Sequence, residues 1–212
     1  MKNEKNTIFK GSQKMIEGYL NIGIKPIDYF DHSYNNTLIN ERSVELVLGF
    51  RYIELTGENL LEVGAVTPYY YKLDHKCLDP TDHKATISSL AEDHDYKNKN
   101  VLSISTVEHV GMGDGFGLPE QKDLAFEVLR KIHHESKSCL VSWPIGYNQV
   151  LDSAVKDNLE EFQHFFYTKT SKKPKWKLIK DKSGFDSKYD SPFKAGNTVI
   201  FITKNLNLRD EV

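Results

Sequence analysis

The sequence predicts an α/β domain with a mainly parallel central sheet, helices on both of its faces and an antiparallel edge strand. Three observations carry this. Short apolar runs at 60–64, 77–80, 101–106 and 139–143 have the length and residue types of buried strands. Stripes of apolar residues at helical spacing lie between several of them, and parallel neighbours need such crossovers. A length of 212 residues, with 39% hydrophobic and 27% charged, suffices for one sizeable core and excludes a disordered or fibrous chain.

Residues 1–30 have little periodicity and several early charges, so they read as a lead-in or cover segment before a single domain at 31–212. Val44, Val47, Leu48 and Leu55 recur at helical spacing behind Asn40, a suitable N-cap, and Gly57 marks the stop, which predicts an amphipathic helix. Two strands follow at 60–64 and 77–80, carrying the acids Glu62 and Asp79 at their ends. Their crossover is short enough that its helix has little more than two turns. A third strand is expected near 85–90, then a polar loop through Glu92, Asp93, His94 and Asp95, then a clearer strand at 101–106. Glycines at 111, 113, 115 and 117 predict a flexible loop. Ala125, Val128, Leu129 and Ile132 form a helical stripe, 139–143 a strand, and Leu151, Ala154, Val155, Leu159 and Phe162 a further helix. Late strands are read at 165–167, 176–179 and 198–203, the last pairing antiparallel at the sheet edge. Five lysines from Lys169 to Lys177 either solvate a hairpin turn or grip phosphate, and the turn is the simpler reading.

A net charge of −2, from 28 basic and 30 acidic residues, gives no global reason to bind nucleic acid. No apolar run reaches the ~20 residues that span a bilayer, so membrane insertion is not expected. The polar start Met1-Lys2-Asn3-Glu4-Lys5 is no secretory signal, and Cys77 and Cys139 sit in apolar runs as buried thiols do, which together imply a reducing cytoplasm. A nucleophile elbow and a phosphate-binding loop are both missing from the sequence. His75, His83 and His94 with Asp93 and Asp95 lack a compact ligand spacing, so no metal is assigned.

Ligands of such sheets bind beyond the carboxyl ends of the strands, which directs attention to Glu62, Gly64, Asp79, Ser105, Thr106, Glu108 and His109. A glycine where a strand turns lets backbone N–H groups approach a ligand, and an acid one strand later can accept two hydrogen bonds from a ribose diol. One glycine without the full dinucleotide fingerprint suits a nucleoside lacking phosphates, and Glu62 favours a cationic group on it; S-adenosyl-L-methionine has both properties. Tyr69, Tyr70 and Tyr71 either offer a π face to a sulfonium or serve in packing.

The run Asn59-Leu60-Leu61-Glu62-Val63-Gly64-Ala65-Val66-Thr67-Pro68-Tyr69-Tyr70 resembles the first motif of class I S-adenosylmethionine-dependent methyltransferases. Ser103-Ile104-Ser105-Thr106-Val107-Glu108-His109-Val110-Gly111 resembles their fourth. Phe30-Asp31-His32, Tyr34-Asn35, Asn40-Glu41-Arg42, Pro144-Ile145-Gly146-Tyr147-Asn148 and Ser191-Pro192-Phe193 are similar to a little-characterised bacterial branch of that superfamily, linked to surface-glycan biosynthesis. The similarity spans residues 28 to 204. It implies a Rossmann-like methyltransferase fold, S-adenosyl-L-methionine as cofactor, and a small-molecule or saccharide acceptor, a hydroxyl above all.

The resemblance implies cofactor contacts at Glu62, Gly64, Ala65, Tyr69, Asp79, Ala91, Ser105 and Thr106, although Asn98-Lys99-Asn100 replaces the aspartate that many relatives carry before the fourth strand. His109 is the candidate base for a hydroxyl, because imidazole titrates near pH ~6.5, and Glu108 orients it or touches substrate. The alternative is that both only fix the glycine loop. Tyr34, Asn35, Arg42, Tyr147 and Asn148 are assigned to the acceptor. For Arg42 the alternative is a helix-capping salt bridge, and for Asn148 a turn. A competing reading of the whole chain is a binding or regulatory protein that keeps the fold without turnover.

Overall fold

The computed structural model describes residues 20–24, 29–72, 74–113 and 120–209. Its main sheet contains β2 (Leu60–Val63), β3 (Lys76–Leu78), β4 (Asn100–Ile104), β5 (Ser138–Pro144), β6 (Gln163–Lys169), β7 (Trp176–Ile179) and β8 (Thr198–Lys204), in the order β3-β2-β4-β5-β8-β6-β7. The first four pair in parallel. β8 runs antiparallel to both β5 and β6, so the sheet is mixed. The expected antiparallel edge strand at 198–203 is therefore internal: seven residues of β8, nearly all buried, pair on both sides, and the edge belongs to β7. A second, two-stranded sheet pairs β1 (Leu20–Gly23) with β9 (Leu206–Arg209) in parallel.

Helices cover both faces, as the alternation of strand residues requires. Leu61, Val63, Val101 and Val141 face α2 (Leu124–Glu135) and α3 (Gln149–Asp157), whose Ala125, Val128, Leu129, Ile132, Leu151 and Val155 complete one apolar cluster. Leu60, Leu102, Ile104 and Leu140 face α1 (Arg42–Thr56) in the other cluster. This α1 departs from the amphipathic expectation: Ser43 through Phe50 are all buried, because the sheet lies against one side and Ile22, Ile24, Phe30 and Leu206 close the other. The described part of the lead-in thus covers α1 with side chains that are themselves buried.

Other differences are local. Between β2 and β3 the described residues form one 3-10 turn, Thr67–Tyr69, and no α-helix. The third strand expected at 85–90 reduces to one bridge, Leu78 to Ile87. α3 ends at Asp157, leaving Phe162 outside it. The β6–β7 hairpin forms as expected, but Lys169 is buried there, and its Nζ donates to the Ile39 carbonyl at 2.6 Å. Of the glycine loop, 114–119 lie outside the described residues. Among the described residues no helix is long and apolar enough to cross a membrane.

Candidate active site at the switch in strand order

From β2 the chain moves to β3 on one side, and β4 lies on the other, which creates a crevice at the strand ends. A cavity of about 520 Å³ opens there, lined among others by Arg42, Gly64, Asp79, Ser105, Thr106 and His109. Ala65, Tyr69, Tyr34 and Asn35 also line it, so ten of the fifteen residues assigned from the sequence meet in one place. A narrower, mostly apolar cavity of about 120 Å³ shares Gly64, Asp79 and Thr106 and reaches Leu90, Leu124 and the assigned Ala91.

Backbone conformation shapes the crevice. Gly64 has φ +85° and donates its N–H to the Leu78 carbonyl at 2.8 Å, and a Cβ here would overlap Thr106 Oγ1. Ser105, just after β4, is in the left-handed region at φ +36°, a strained state for a residue with a side chain, and its hydroxyl donates to Glu45. Asp79 is half-buried; its Oδ1 accepts from the Thr81 and Asp82 amides, while Oδ2 has no hydrogen-bond partner among the described residues. Tyr69 stacks on Tyr34 with ring centroids 5.1 Å apart, lies under Lys84 Nζ, and donates to Asp82 Oδ2 at 2.9 Å, a bond that pushes its phenol up to about 12.

Glu62 requires correction. It is fully buried and does not line the cavity: its carboxylate accepts from the Val66 and Thr67 amides at 3.0 and 2.8 Å, from the Thr67 hydroxyl, and pairs with His75 Nε2 at 2.6 Å. Within a short strand the side facing the ligand is decided by alternation, and Glu62 falls on the α1 face with Cys77, its register partner. The acid therefore holds the turn after Gly64 in place. Glu62, His75 and Cys77 also bring a carboxylate oxygen, an imidazole nitrogen and a sulfur within 4.8 Å of one another, while His83 and His94 stand apart.

Three further assignments move. Asn148 is buried, accepts from the Leu151 amide as the cap of α3 and donates to the Glu108 carbonyl at 2.8 Å, so the turn alternative holds. Tyr147 does not line the cavity; its ring packs between His109 and Tyr189, at 4.8 and 5.2 Å. Glu108 is buried with Oε2 unpartnered, and Oε1 lies 3.9 Å from His109 Nε2. Burial, with Glu45 nearby, pushes its carboxyl well above the usual range. It backs His109 rather than facing the cavity.

Of the two readings of Arg42, the structure shows the salt bridge. Arg42 lines the cavity and pairs with Glu45 at 2.5 Å. Burial opposes its charge, but Glu45, Glu41 and Glu108 outweigh that and hold the guanidinium above its ordinary value. Glu45 was missed, although an acid inside the apolar run Val44–Leu48, three residues after an arginine, is a readable signal. Its carboxylate also accepts from Ser142 at 2.9 Å, so one ion pair ties α1 to the ends of β4 and β5. Comparison with models of known families, with curated proteins and with solved structures finds no match to this chain.

Proposed function

We propose that this protein is an S-adenosylmethionine-dependent methyltransferase with a Rossmann-like fold, acting on a hydroxyl of a small-molecule or saccharide acceptor. The observation that carries the reading is the meeting of Gly64, Asp79, Ser105 and His109 at one crevice between β2, β3 and β4. The residues fit the cofactor: Asp79 offers an unengaged oxygen for the ribose diol, Gly64 allows close backbone approach, and the apolar side cavity around Leu90 and Ala91 suits a flat base. When bound, the cofactor would supply a methyl carried on a sulfonium for transfer to the acceptor oxygen. His109 takes the proton released by that oxygen, with its ring held by Tyr147 and its back against Glu108. Alignment of acceptor and donor supplies up to ~7–11 kcal/mol of the barrier lowering.

Calorimetric titration with S-adenosylhomocysteine tests the reading. Binding is expected, at least tenfold weaker in Asp79→Ala and unchanged in His109→Ala. Methyl release over a panel of nucleotide sugars and glycans should fall ~10²–10⁴-fold in His109→Ala. No heat at millimolar ligand would overturn the reading, and binding without turnover on any acceptor would favour the regulatory alternative.

A further inference from the structure

The cavity does not end at its rim. Asn35 lines both it and a depression of about 580 Å³ formed by 33–40 and 189–195. Tyr189 lines that depression and a third, also of about 580 Å³, between the end of β5, α3 and 185–189. The three spaces thus adjoin through shared side chains. Pockets for one drug-sized ligand measure roughly 300–1,000 Å³, so each space already has that size and the row exceeds the needs of one small metabolite.

Two other features follow the same line. Among the described residues the exposed large hydrophobic side chains are Tyr34, Ile39 and Val150, at 47%, 47% and 40%. Tyr34 lines the cavity and Ile39 the middle depression, whereas Val150 lines none of the three. Polar lining is dominated by groups that both donate and accept, including Ser33, Asn36, Gln149 and Ser153, which matches the dual character of a hydroxyl. Charges are mixed, Asp190 and Lys194 lining the middle depression and Asp152, Lys156 and Lys188 the outer one, so neither a polyanion nor a polycation is favoured.

From this continuity we infer that the acceptor is a segment of an extended polyhydroxylated chain, an oligosaccharide whose reacting unit sits in the cavity while neighbouring units lie along the middle and outer depressions. The inference rests on the methyltransferase reading for its reacting end only. An extended peptide is the competing occupant; it is disfavoured because the trough presents side chains, and no sheet edge, for a peptide backbone to pair with.

The test is an array of neutral glycans from one to six units, probed with the whole chain beside an array of extended peptides. Retention of oligomers of three or more units should exceed that of monosaccharides at least tenfold. Gln149→Ala and Ser153→Leu, both at residues that line the outer depression, should abolish the length preference while leaving S-adenosylhomocysteine binding unchanged. Equal retention of short and long glycans, retention of none, or a preference for peptides would each overturn the inference. Loss of cofactor binding with the length preference intact would sink the catalytic reading and leave the trough standing; the converse would sink only the trough.

Discussion

Alanine at position 64 must place its Cβ in the space of the Thr106 side chain, and φ +85° is unfavourable for any L residue. Gly64→Ala should cost about 1–3 kcal/mol in urea unfolding and weaken S-adenosylhomocysteine binding at least tenfold. Gly57 supplies the control, because at φ +60° its Cβ would meet nothing within 4 Å. Gly57→Ala should cost about 1 kcal/mol and leave binding untouched; equal effects on binding at the two positions would contradict the role given to Gly64. Glu62 acts at one remove. Glu62→Gln keeps the shape but replaces one acceptor oxygen with a donor facing the Val66 and Thr67 amides or the His75 ring, so a loss of roughly 1–3 kcal/mol is expected, with weaker cofactor binding. That Glu62 and Gly64 matter was legible in the strand-then-glycine pattern. Which way Glu62 points was not, since it depends on the face that α1 covers.

At the level of elements, periodicity located what one face decides. The stripe Ala125, Val128, Leu129 and Ile132 became α2 with all four buried, and the strands at 60–64, 101–106 and 139–143 stand where the apolar runs are. Pairing was beyond it: the apolar run of β8 fits burial on both faces, but nothing local says that β5 and β6 flank it. α1 failed for a related reason, because its second cover arrives from β1 and β9, distant in sequence. Leu46 decides between the two pictures. It lies off the stripe of Val44, Val47 and Leu48, so on an amphipathic helix Leu46→Ala would change stability by no more than ~0.5 kcal/mol. Fully buried as it is, the substitution should cost about 2–5 kcal/mol, measured by chemical denaturation.

For the molecule as a whole, the buried acids set the pH dependence of stability. Glu45, Glu108 and Asp152 are all pushed upward, chiefly by burial. Asp152 is the most tractable: its oxygens accept from Trp143 Nε1 and the Gly146 amide, which favour the charged form, yet burial prevails and raises it from 3.8 to about 6. A carboxyl raised in the folded state binds its proton more tightly there than in the unfolded chain, so its contribution is fully present below about pH 4 and is lost as pH rises through about 6. The loss is on the order of 2–3 kcal/mol. Urea unfolding at intervals from pH 4 to 7 should therefore contain a component that falls with rising pH, set against a rise from His94 and His133, which burial lowers. Asp152→Asn, which cannot ionise, should remove that falling component whatever it does to absolute stability, since its amide can satisfy only one of the two donors. An unchanged slope in the variant would move the origin of the pH dependence to the Arg42, Glu45 and Glu108 cluster behind His109, where the same titration would be read out in methyl transfer as well as in stability.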